Sequence, residues 1–123
     1  MINRKLEVEI RKRLHSGKAI IVMGARQTGK TTLLQKIVSS EPDVLWLNAD
    51  EADTVALFEG ASSTLLRQVL SGKKMVVIEE AQWIADVGLK LKLLTDQVTE
   101  VQLLATGSSA FELINVLKKN WNG

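Results

Sequence analysis

Two rhythms of apolar residues alternate along this chain of 123 residues. Four short, nearly unbroken runs read as strands: Ile20-Ile21-Val22-Met23, Val44-Leu45-Trp46-Leu47, Met75-Val76-Val77-Ile78 and Val101-Gln102-Leu103-Leu104-Ala105. The third lies between Lys73-Lys74 and Glu79-Glu80 and is expected to be a central strand buried on both faces. Helical spacing fills the intervals. Leu6, Ile10 and Leu14 recur at i, i+4 and i+8, which predicts a leading amphipathic helix that Ser16-Gly17 can end. Thr32 to Val38 carry a second helix, and Pro42-Asp43 punctuate the chain before the second strand. Residues 51–71 read as helical but divided at Gly60, with Leu65, Leu66, Val69 and Leu70 forming the buried face of the second piece. Leu89, Leu91, Leu93, Leu94 and Val98 predict a helix over 84–98 whose start Gly88 loosens. Thr106-Gly107-Ser108 should then turn the chain, and Ser109-Ala110-Phe111-Glu112 has the spacing of a capping box opening a last helix. Strand and helix signals in this order predict one α/β domain, residues 1–123, with a mainly parallel sheet and helices on both faces.

The most specific local pattern sits between the first strand and the second helix. Gly24-Ala25-Arg26-Gln27-Thr28-Gly29-Lys30-Thr31 matches G-x-x-x-x-G-K-[ST], a phosphate-binding loop. A loop in that place wraps a helix N-terminus, where backbone N–H groups lack partners and the helix dipole is positive, so a polyphosphate supplies what the backbone lacks. The glycines permit the close approach. Lys30 can reach the β- and γ-phosphates as a point charge, the Thr31 hydroxyl can ligate the Mg²⁺ bridging them, and Thr32 starts the helix at the edge of the site.

Composition narrows the chemistry. With 46% hydrophobic and 24% charged residues the chain is ordinary for a globular protein, and roughly two-thirds of the surface of an unfolded chain this size can be buried on folding. No cysteine is present, which excludes thiolate metal centres and thiol nucleophiles and fits a reducing cytoplasm. His15 stands alone near the end of a basic helix and reads as a solvated charge. A net charge of +2 implies no polyanionic partner by itself. Arg4, Lys5, Arg11, Lys12, Arg13 and Lys18 crowd the N-terminus, but no aromatic residue is interleaved for base stacking, so a solvated helix face is expected rather than a nucleic-acid patch. No window has the apolar length of a membrane span.

Beyond the loop, Glu79-Glu80 end an apolar run where ligands bind in open parallel sheets. One carboxylate there can hold Mg²⁺, and the next can position and polarise a water in line with the γ-phosphate. A hydroxyl of Thr106 or Ser108 at the same sheet edge could sense that water or the phosphate, although turn chemistry explains these residues equally well. Trp46, Trp83 and Trp121 are too far apart in sequence to form a stacking platform, and each is expected to serve core or interface packing.

With the loop, the Met75 to Gln82 segment and the Thr106 to Leu113 segment in view, the chain resembles the AAA-type P-loop ATPases of bacteria and archaea, predicted ATP-binding proteins that usually carry a C-terminal domain of unknown function. Leu47-Asn48 and Gly88-Leu89-Lys90 look like that family too, so the resemblance runs from about Lys18 to Leu113. It implies a P-loop NTPase three-layer sandwich with strand order 2-3-4-1. It implies ATP and Mg²⁺ as ligands, Gly24 to Thr32 around the phosphates, Thr31 and Glu79 on the metal, and Glu80 with Lys30 and Ser108 in catalysis, Ser108 as the sensor. The chain departs from the family in having Glu79 where Asp is usual and Ala25 where Pro is common. It also ends where family members continue with a fifth strand, a Gly-Arg and a helical lid, so the expectation is a core without those parts, with the first strand left as an edge open to self-association.

The function these readings predict is ATP hydrolysis to ADP and phosphate, slow in this short form, because P-loop enzymes without a cationic finger lack roughly 10³–10⁵ of their rate. Two rivals remain open: a nucleotide-regulated binding module without turnover, and a phosphotransferase in which Glu80 acts on an acceptor hydroxyl. No Asn-Lys-x-Asp guanine motif occurs, which disfavours GTP.

Overall fold

The structure is a computed structural model and describes residues 4–14, 19–23, 28–60 and 62–107. In chain order the elements are α1 (Arg4–Arg13), β1 (Ile20–Met23), α2 (Thr28–Val38), β2 (Val44–Asn48), α3 (Ala52–Glu59), α4 (Ser63–Val69), β3 (Met75–Glu79), a 3-10 turn (Ala81–Trp83), α5 (Val87–Gln97) and β4 (Gln102–Gly107).

The four strands form one parallel sheet in the order β1-β4-β3-β2. Read from the opposite edge this is the expected 2-3-4-1. The order follows from the apolar runs. β3 and β4 are buried along their whole length and occupy the centre, whereas β2 is half-buried throughout. Alternation along β3 then divides the core. Met75 and Val77 join Ile10, Ile20, Val22, Leu33, Leu34, Ile37 and Leu104 on the face covered by α1 and α2. Val76 and Ile78 join Phe58, Leu66, Leu91, Leu94, Leu103 and Ala105 on the face covered by α3, α4 and α5.

Chain direction explains the two layers. The crossover from β1 travels across the sheet to β2, and the next two crossovers step back through β3 to β4. Right-handed connections that run in opposite senses place their helices on opposite faces. α2 therefore shares its side with α1, away from the other helices. Glu7 fastens α1 to α2 by accepting from Arg11 Nε at 3.0 Å and from Lys36 Nζ at 3.3 Å. The Arg11 hydrogen bond, ahead of the one from Lys36, holds the Glu7 carboxyl below its usual value.

Several boundaries differ from the sequence expectation. α2 begins at Thr28, inside the loop motif, so Thr32 lies a turn into the helix instead of starting it. β4 runs on to Gly107, and Thr106 and Gly107 are strand residues, not a turn: they pair with Val22 and Met23 of β1 after the ladder to β3 has ended at Ala105. Pairing with a neighbour overrides the local turn preference of Thr-Gly. The helix expected from residue 84 starts at Val87, because Ile84 is buried in an extended conformation and Asp86 takes a left-handed one before the helix can begin. The division at Gly60 is found as expected, and Ser62 caps α4 by accepting from the Leu65 N–H at 3.2 Å. The last helix expected from Ser109 lies outside the described residues, as do His15 and Trp121. Among the described residues no helix is long and apolar enough to cross a membrane.

Leu104 is fully buried on the central strand β4, whereas Leu89 is 57% exposed on α5. Leu104→Ala should cost about 2–5 kcal/mol in urea unfolding, while Leu89→Ala should stay within about 0.5 kcal/mol of the parent.

Candidate functional site

Because all four strands are parallel, their carboxyl ends, at Met23, Asn48, Glu79 and Gly107, share one edge of the sheet. Four residues after β1, the N-terminus of α2 arrives at that edge. It brings the unpaired N–H groups and positive dipole end of an eleven-residue helix to the site. Thr28, Gly29 and Lys30 open α2, and Thr31 follows in its first turn. Gly24, Ala25, Arg26 and Gln27 lie outside the described residues, as does Ser108.

Glu79 is the last residue of β3 and is only 8% exposed. It falls on the same face as Met75 and Val77, the face that α2 covers. Its Oε1 accepts from the Thr31 hydroxyl at 2.6 Å, and its Oε2 accepts from the Trp46 indole Nε1 at 2.9 Å. A buried carboxylate is costly unless its oxygens meet donors, and here each oxygen has one. The loop threonine and the acidic strand end, 48 residues apart in sequence, are thus brought into contact. Two hard oxygen donors side by side suit Mg²⁺, which takes one or two protein ligands and keeps several waters. Among the described residues no group of three or more His, Cys, Asp or Glu gathers into an all-protein cage.

Glu80 leaves the strand abruptly. Its backbone lies in the left-handed region, φ 56° and ψ 43°, where a non-glycine residue is strained. This turn takes Glu80 out of the alternation of β3 and starts the 3-10 turn. The buried hydroxyl of Thr106 lies 3.4 Å from the Glu80 N–H and faces the donor that an extended strand would have given to a ladder bond. Gln82 Nε2 donates to Glu80 Oε1 at 3.0 Å, and Trp83, 60% exposed, closes the turn by donating its N–H to the Glu80 carbonyl at 3.1 Å.

Sequence reasoning placed Thr31, Glu79 and Glu80 at one site, and the structure brings them to one sheet edge. It named Thr106 only as an alternative to Ser108, and it missed Trp46, which it assigned to packing. The signal for Trp46 was the strand register. Trp46 pairs with Val77 and Asn48 pairs with Glu79, so Trp46 is the diagonal same-face neighbour of Glu79, within reach of a long side chain.

Comparison with known proteins agrees with this geometry. The profile of a family described as an AAA domain matches residues 16–123. An uncharacterised protein of Mycobacterium tuberculosis is 30% identical over 121 residues, 98% of this chain and 26% of that protein; an uncharacterised Mycobacterium bovis protein matches to the same extent. The chain thus spans about a quarter of the length of the curated relatives it matches. Among solved structures, domain III of the Thermotoga maritima replication initiation protein DnaA superposes with a TM-score of 0.60 at 20% identity, covering 93% of this chain and 57% of that one. A Pif1 helicase from Candida albicans gives 0.58 at 18% identity, covering 87% and 32%. A Bacteroides Pif1 in complex with ADP-AlF4 gives 0.58 at 15%, covering 100% and 37%. At these identities the likeness is one of fold. Profile match, sheet order and the contact between loop and acidic strand end agree, and the chain belongs to the AAA domain family, with the fold of a P-loop ATPase core.

Proposed function

We propose that this chain is an ATP·Mg²⁺-binding core that hydrolyses ATP to ADP and phosphate. The observation that carries the reading is the 2.6 Å contact between Thr31 Oγ1 and Glu79 Oε1, which joins the phosphate-loop helix to the acidic strand end. In this reading the backbone N–H groups of Gly24 to Thr32 would cradle the phosphates, and the Lys30 ammonium would meet the β- and γ-phosphates. Thr31 and Glu79 would hold the metal. When bound, Mg²⁺ would neutralise charge on the β- and γ-oxygens.

Glu80 would orient the attacking water and accept its proton, and Ser108, next in sequence after Gly107, would sense the γ-phosphate. Support for Glu80 comes from its strained backbone, since conformational strain held by the surrounding structure concentrates at working positions. A nucleic-acid partner for the basic residues of α1 is unsupported in this reading. Arg11 and Arg13 pair with Glu7 and Glu9, and Lys36 reaches Glu7 from α2. Absence of cysteine fits a cytoplasmic setting. The activity of any longer protein that contains this core would draw on parts beyond it.

Three variants test the reading. Lys30→Ala should weaken ATP binding roughly 10- to 100-fold by calorimetry, the worth of a charge-assisted contact of about 1.5–3 kcal/mol. Unchanged affinity in a folded variant would reject the loop assignment. Glu80→Gln should still bind ATP but lose roughly 10²–10⁴ of any phosphate release, because an amide cannot take the proton. Glu79→Gln should instead move the Mg²⁺ dependence, and an exchange of these two phenotypes would reverse the roles.

A fourth variant probes strain. Glu80→Gly removes the clash of a left-handed L-residue, about 1–2 kcal/mol, against an entropic cost of about 0.5–1 kcal/mol. It should therefore match or exceed the stability of the parent while losing phosphate release. A loss of more than about 1 kcal/mol in urea unfolding would show that Glu80 stabilises the fold.

A further inference from the structure

The reading above leaves one close contact of the site unused, the hydrogen bond from Trp46 to Glu79. We infer that Trp46 is a positioning residue for the metal-binding carboxylate: its indole N–H holds Oε2 of Glu79, leaves Oε1 to face the Thr31 hydroxyl and a cation beside it, and so fixes the carboxylate's orientation and disfavours turning both oxygens toward one ion. The inference rests on the proposed function, because it assigns a role toward the same metal.

The two donors on Glu79 differ in kind. A threonine hydroxyl is both donor and acceptor, so Thr31 can release its proton from Oε1 and offer a lone pair to a metal. An indole N–H is a donor only and can do neither. Trp46 can therefore keep its hydrogen bond to Oε2 whether or not a cation is bound, whereas the Thr31 bond to Oε1 is the one that can give way to a metal. Strand pairing holds the indole in place. Trp46 sits in the middle of β2, opposite Val77, with its ring half-buried against the core on the α1–α2 face.

Side-chain length makes the pair specific. The terminal torsion of a glutamate is broad, so a longer carboxylate at a metal site gains reach and loses definition. Two directional hydrogen bonds on its two oxygens remove that freedom. An aspartate would be shorter by one methylene, so with the strands in this register both oxygens would draw back from Thr31 and Trp46. Glu79 and Trp46 thus act as a matched pair. Selectivity follows, since Ca²⁺ readily takes both oxygens of a carboxylate at 2.3–2.6 Å whereas Mg²⁺ prefers single oxygens in a tight octahedron. Turning both oxygens toward one ion would strain the Trp46 hydrogen bond, so the site favours the smaller ion.

Two measurements on the full chain test this. In calorimetric titrations of ATP at graded Mg²⁺ or Ca²⁺, Trp46→Phe should raise the half-saturating Mg²⁺ roughly tenfold, the lower end of what losing such an outer hydrogen bond costs. It should raise the Ca²⁺ value less and leave metal-free ATP affinity unchanged. In Glu79→Asp the same Trp46 change should add nothing further, since the contact is already lost. Separately, in nitrogen-15 spectra without nucleotide, the indole resonance absent from Trp46→Phe should move in Glu79→Gln and in Glu79→Asp.

A folded Trp46→Phe with the parent's Mg²⁺ curve, or with equal changes for both ions, would overturn the inference. If that variant does not fold, Glu79→Asp carries the test, and an unmoved Trp46 resonance there would overturn it equally. A parent that binds no nucleotide at any Mg²⁺ concentration would overturn the proposed function, and this inference with it. A parent that binds Mg·ATP normally while Trp46→Phe changes nothing would overturn this inference alone.

Discussion

The buried carboxylate of Glu79 is the constraint on which the site depends. It ends the central strand, only 8% exposed, and each of its oxygens meets a donor from a different element: Thr31 from α2 and Trp46 from β2. An ionised carboxylate without partners would not be tolerated at that depth, and hydrogen bonds to a charged group contribute about 1.5–3 kcal/mol each. The cost of burying the charge is therefore offset only when helix, central strand and neighbouring strand are correctly placed. A site held this way is organised before any ligand arrives.

The sheet order makes that convergence possible. β3 lies between β2 and β4, so the end of the acidic strand has Trp46 and Asn48 on one flank and Thr106 on the other. β1 lies beyond β4, and the chain must cross the whole sheet to reach β2. That long crossover is α2, and it carries Thr31 over the same face on which Glu79 projects. Had β2 been laid down next to β1, the loop helix would have packed away from the end of β3. Topology, more than any local preference, brings two residues 48 positions apart to 2.6 Å.

Much of this was legible in the sequence. Nearly unbroken apolar runs located the four strands, most clearly the central β3, because a strand covered on both faces has no polar alternation to obscure it. The loop motif and the acidic pair identified the elements that meet at the site, because their chemistry depends on local spacing. What the sequence concealed was set by pairing. Thr106-Gly107 has turn composition but continues β4, held by hydrogen bonds to β1 that no local window records. Trp46 has the composition of a packing residue. Its second role exists only because β2 and β3 pair in a register that places it diagonally from Glu79, a relation invisible until strand order and register are both known.

The departure of Glu79 from the aspartate usual in the resembling family takes on a different meaning in this setting. Considered by itself, an added methylene loosens a metal ligand. Beside an indole that anchors its second oxygen, the longer side chain reaches the Thr31 hydroxyl and is fixed in doing so. The backbone shows a related division of labour. Among the described residues three non-glycine residues lie in the left-handed region: Asp43 and Asp86 are of a type that tolerates it through short polar side chains, whereas Glu80 is not. Glu80 is also the residue that immediately follows the buried carboxylate. Strain thus sits at the position where the chain must stop being a strand, so that two consecutive glutamates can take unlike roles, one buried and doubly bonded, the other turned out of the sheet.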